Sequence, residues 1–192
     1  MYKFLNLVLY ALLCISVQQV KAIELQDFLF YRLLDADQLN VALEEKGWYM
    51  YDFAEWRKDM VEYNFRISGE PEACNVEFID FIYRPNHYKK NRISFQLKDT
   101  CKYNDYIQAI LTNGFSFVRD KVYDRYNHIL VYSDGETTIE IIQSQSTYLY
   151  DANKYYNFAI YNTLEYEIVF AKEHQDENQQ QNVSVDEGIG IK

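Results

Sequence analysis

The sequence predicts an α+β fold, a tandem repeat of one helix packed on an antiparallel sheet of about four strands, and leaves open whether the two sheets join edge to edge or the helices share one core. Three observations predict it. Placing Gly47 over Gly114 brings Leu39 over Tyr106, Ala42 over Ala109, Leu43 over Ile110 and Trp48 over Phe115. The apolar residues before each glycine recur at helical spacing, and each glycine stands where a helix C-cap favours a left-handed residue. After each glycine the apolar period becomes two, which is the signature of half-buried strands.

The elements follow in chain order. Lys3 precedes an apolar run over residues 4–17, and Val20-Lys21-Ala22 sets permissive residues at a cleavage site, so residues 1–22 read as a signal peptide. Cys14 offers a lipid-acceptor alternative, which the bulky Leu12-Leu13 before it disfavours. The apolar run falls short of the roughly 20 residues a membrane span needs. Cleavage before Ile23 leaves an exported chain, periplasmic or secreted, with no stable membrane insertion. Residues 25–34 read as a short N-terminal helix.

The first repeat, residues 23–99, continues with cap candidates in Asp35 to Asn40, a helix to Gly47, and the aromatic cluster Trp48, Tyr49, Tyr51, Phe53 and Trp56. Val61, Tyr63, Phe65 and Ile67 then alternate with polar residues, as do Ile93, Phe95 and Leu97. Pro85 and the basic run from His87 to Arg92 mark a solvated hairpin tip. The second repeat, residues 100–171, has its cap candidates in Lys102 to Asp105. Ser133-Asp134-Gly135-Glu136 is a hairpin turn signal between alternating runs. Leu164, Tyr166, Ile168 and Phe170 alternate as a final strand. Residues 172–192 are polar, acidic and aperiodic, and read as a disordered tail.

Cys74 and Cys101 flank the predicted hairpin. An even pair in an oxidising compartment is most simply one disulfide, which contributes about 3.5 kcal/mol in the chain-entropy account. Two buried free thiols are the alternative.

Charge and motifs exclude more than they assign. Losing Lys3 and Lys21 takes the formal net charge from −10 to −12, which suits neither nucleic acid nor an anionic membrane. There is no phosphate-binding glycine loop, no H-E-x-x-H, no C-x-x-C and no G-x-S-x-G. His87, His128 and His174 lack ligand spacing, so neither a metal nor a cofactor is expected. Glu44, Glu45, Asp52, Glu55, Asp59 and Glu62 read as solvated charges.

Aromatic residues make up 17% of the chain, with 19 tyrosines, more phenols than a small core consumes. Cross-strand pairing accounts for many of them. A recognition surface accounts for the cluster Trp48, Tyr49, Tyr51 and Trp56, because Tyr and Trp supply large contact area at low entropy cost. The expected function is an exported, non-enzymatic binding protein that recognises a protein partner, of the inhibitor or immunity type. Alternatives are a small-ligand or glycan-binding module and, behind it, a carboxylate-based hydrolase.

The pattern "ISFQLKD…YIQAILTNGFSFV" is similar to that of uncharacterised exported bacterial proteins with two helix-plus-four-strand repeats. It also resembles the repeats of the secreted beta-lactamase inhibitor proteins. The resemblance covers residues 25–170 as an order of elements and implies the tandem architecture. It carries no inhibitory residue and no target enzyme.

Overall fold

Helix α1, Leu25–Tyr31, begins at Glu24, whose backbone N–H donates to Asp27 Oδ2 at 2.8 Å. Helix α2, Ala36–Glu44, is capped more completely. Asp35 accepts from the Gln38 backbone N–H at 2.8 Å, and the Gln38 side chain accepts from the Asp35 N–H at 3.3 Å. The computed structural model describes residues 23–57, 59–67, 76–98, 102–122, 127–145 and 154–168. The signal peptide, Cys14, Cys74, Cys101 and the 172–192 tail lie outside the described residues.

Both helices that precede strands end as their sequences imply. The turn after α2 passes through Gly47, and the turn after α3, Tyr103–Thr112, passes through Gly114, each at φ 86°. Lys102 occupies the N-cap of α3 without a capping side-chain bond, so that helix relies on burial of Tyr106 and Ile110.

Eight strands follow: β1 Trp48–Arg57, β2 Met60–Ile67, β3 Val76–Tyr83, β4 Arg92–Lys98, β5 Ser116–Val122, β6 Asn127–Ser133, β7 Thr137–Gln145 and β8 Lys154–Asn162. A single 3₁₀ turn, Tyr88–Lys90, lies between β3 and β4. All eight form one antiparallel sheet in the order β1-β2-β3-β4-β8-β7-β6-β5.

This corrects the expected fold class. The chain is not a tandem of two helix-on-sheet layers but one continuous eight-stranded sheet with short helices. The joint is β4 against β8, where Ile93, Phe95 and Leu97 stand opposite Ile160, Phe158 and Tyr156. All six are buried. Neither strand could stand as an edge with such residues, because its unpaired N–H and C=O groups would lie beside an apolar face.

A second correction concerns the end of the described chain. Residues 163–168 are helical rather than extended. Asn162 Oδ1 accepts from the Leu164 N–H at 3.1 Å, a helix-starting contact, and the Thr163 N–H donates to the Glu136 carbonyl at 3.0 Å. The alternation of Leu164, Tyr166 and Ile168 therefore does not mark a buried strand face. Only Tyr166 is buried, against Val131 and Tyr161 on the sheet face away from α1 and α3.

The main core lies on the opposite face. Phe28 of α1 stacks on Phe95 at 3.9 Å, and Tyr106 of α3 meets Phe158 at 5.4 Å. The Tyr106 hydroxyl donates to the Ile23 carbonyl at 2.7 Å, which satisfies its polar end inside the core. Burial pushes that phenol far above its ordinary pKa, with Glu24 and Asp27 adding to the shift.

Candidate interaction surface

Among the described residues β1 pairs with β2 alone, and none of them sets a strand beside its outer backbone edge. The register shifts twice, between Met50 and Asp52 and between Glu55 and Arg57. These irregularities place Tyr51 and Trp56 outside the plain alternation of the strand. Each then finds a charged partner on β2. The Arg66 guanidinium sits 5.2 Å from the Tyr51 ring centre, and Trp56 Nε1 donates to Glu62 Oε2 at 2.6 Å.

Of the four aromatic residues singled out in the sequence, three lie on this surface. Tyr49 is exposed opposite Arg66, and Tyr51 and Trp56 are each 63% exposed. Trp48 does not join them. It stands opposite Ile67 in the main core, 3% exposed, with its indole N–H unpartnered among the described residues. Met50, which sequence reasoning missed, and Phe53 are also exposed, but they stand opposite Phe65 and Tyr63, on the face of β1 that Trp48 occupies rather than that of Tyr49. The signal was available: both fall in the same dense apolar run as Tyr49 and Tyr51.

The face that carries Tyr49 and Arg66 continues as a row across the sheet that is polar at six of its eight positions. Asp52, Asn64, Asp80, Ser94, Ala159, Glu140, Val131 and Arg119 stand opposite one another in succession from β1 to β5. Asp80 is the unusual member. Burial raises its pKa to about 6, nearby Glu62 adds to the rise, and Arg92 and Arg66 oppose it. It was not singled out in the sequence, although an acid inside "VEFIDFIY" is a visible break in an apolar strand.

The other sequence candidates are dispersed. His128 meets Asp120 at 3.3 Å near the far edge, His87 is exposed in the β3–β4 connection, and His174 lies outside the described residues. Among the described residues no three His, Cys, Asp or Glu side chains group to hold a metal ion. No helix among them is long and apolar enough to cross a membrane. The basic run is less solvated than expected, since Asn91 is fully buried and Lys90 pairs with Glu165 at 2.7 Å.

Comparison with protein-family models, with curated proteins and with solved structures finds no match to this chain.

Proposed function

We propose that this chain is an exported, non-enzymatic binding protein that recognises a protein partner through β1, in the manner of an inhibitor or immunity factor. The observation that carries the reading is the combination of an unpaired strand edge with exposed Tyr49, Met50, Tyr51, Phe53 and Trp56 on it. Edge strands are ordinarily blunted with charged side chains, proline, bulges or brevity. Strand β1 is ten residues long without lysine or proline, and its two irregularities and the Asp52 and Glu55 charges still leave five large apolar side chains exposed.

The recognition mode is strand addition. An extended segment of the partner lies along β1, backbone to backbone, while its alternate side chains meet the aromatic rings. Asp52 and Glu55 on the same strand favour basic residues in that segment, which fits the acidic balance of the chain. Tyr51 and Trp56 are held in place before binding by Arg66 and Glu62, so little side-chain freedom is lost on contact.

The test is affinity capture with the mature protein, run beside a Tyr51→Ala/Trp56→Ala double variant. The expected result is a partner retained by the parent and lost by the double variant. Equal capture by both would remove β1 from the reading. Light scattering separates this from pairing of two copies of the chain, which would double the mass of the parent alone.

A further inference from the structure

Arg32, just after α1, is 6% exposed and has no carboxylate within ion-pair distance among the described residues. Its Nη1 donates to the Lys89 carbonyl at 3.2 Å and its Nη2 to Thr137 Oγ1 at 3.3 Å, while Nε has no partner among the described residues. Burial lowers its pKa, and Asp134 nearby partly restores it. A guanidinium stays charged in proteins, so this is a buried cation held by two neutral acceptors. Such a group is costly unless something else completes its shell.

A pocket of about 850 Å³ opens beside it. This is within the size range of small-molecule sites. None of its lining residues belongs to β1 or β2. Leu29, Leu33, Phe115 and Leu164 supply apolar wall, and the charged lining residues are Arg32, Lys89, Asp134 and Glu136. Those four charges cancel. The remaining polar groups are largely engaged within the fold. Asn113 donates to the Ala109 carbonyl and accepts from Gln26, and Thr163 Oγ1 shares contacts with Ser133 and Thr138. Asp134 Oδ1 already accepts from the Glu136 and Thr137 N–H groups. Arg32 Nε is itself closed off from solvent, so the donors left to a ligand are the second N–H of Arg32 Nη1 and of Nη2 and the Lys89 ammonium, and the acceptors are the outer carboxylate oxygens.

We propose that this pocket binds a small zwitterion, with its carboxylate against Arg32 and Lys89, its ammonium group against Asp134 and Glu136, and an apolar side chain on the leucine and phenylalanine wall. Free α-amino acids and short peptides share this chemistry. The site is separate from the β1 surface, and neither proposal depends on the other.

Titration calorimetry on the full chain tests it with L-leucine, tri-leucine, leucinamide and N-acetyl-leucine. Saturable binding is expected for leucine, for tri-leucine or for both, and the tighter of the two identifies a free amino acid or a peptide as the source. Leucinamide lacks the carboxylate and N-acetyl-leucine the ammonium group, and each should bind at least about tenfold more weakly than leucine. Arg32→Met should lose binding by a similar factor while its melting temperature stays level or rises, because a buried charge has gone. Should that variant fail to fold, exposed Lys89→Gln serves, with an expected loss of about threefold. Tyr51→Ala/Trp56→Ala should bind as the parent does. No binding of any probe, leucinamide or N-acetyl-leucine binding as well as leucine, or an Arg32→Met or Lys89→Gln variant binding like the parent would overturn the proposal.

Discussion

Phe95 on β4 and Phe158 on β8 stack with ring centroids 4.8 Å apart and planes 3° from parallel, directly opposite each other in register. Phe28 covers the first ring and Tyr106 the second, so α1, α3 and the middle of the sheet share one aromatic column.

Phe158→Ala should cost about 3–5 kcal/mol, since a fully buried ring leaves a cavity that the surrounding rings of Phe95, Tyr103 and Tyr106 cannot close. Unfolding of the parent should be a single transition. Urea melts followed by far-UV dichroism and by tryptophan fluorescence should coincide, because Trp48 and β8 belong to the same core. Two separate midpoints would contradict the continuous sheet.

Gly114→Ala should destabilise by about 1 kcal/mol. A Cβ at this glycine meets nothing within 4 Å, so the whole cost is the left-handed backbone at φ 86°. Gly114→Asn should recover part of it, because asparagine tolerates that region. Chemical denaturation of the three proteins checks the ranking.

Asp80 links stability to pH. Its folded pKa of about 6 lies above the ordinary 3.8, so the native state holds the proton more tightly than the unfolded chain does. Below pH 3.8 both states are protonated and nothing is lost; as pH rises through 6 the ionised group progressively weakens the fold. Asp80→Asn should flatten that decline and be more stable than the parent by about 2 kcal/mol at neutral pH. Denaturant midpoints at pH 4 and pH 7.5 measure it, and an unchanged slope between them would exclude the burial effect.

The two tryptophans should separate cleanly. Trp48→Ala should cost about 3–5 kcal/mol as a core truncation. Trp56→Ala should change stability by about 0.5 kcal/mol or less, its hydrogen bond to Glu62 being exposed. Thermal melts of both variants decide whether Trp56 serves the fold or the surface.

Much of the local structure could be read from single residues. Asp35 and Gln38 announce the start of α2, Gly47 and Gly114 the turns after α2 and α3, and Ser133 to Glu136 the β6–β7 turn, because each acts within a few positions of itself. The pairing of β4 with β8 had no such trace. Two apolar strands distant in sequence look the same whether each ends its own sheet or both share one. Trp48 was misplaced because a strand's first residue faces the core or solvent according to its register with β2, and two irregularities obscure that register. Arg32 drew no attention at all, since its burial depends on Lys89 and Thr137, both far along the chain.

The order of the strands also sets a timetable for synthesis. Gln96 on β4 bonds to Asn157 on β8, 61 positions later. At about 5–20 residues per second, β4 waits about 3–12 s for its neighbour to emerge. During that interval its backbone edge, lined by Ile93, Phe95 and Leu97, is open to the same strand of another nascent chain. Slow arrival of β8, whether from the ribosome or across a membrane, therefore lengthens the time for which that edge is exposed.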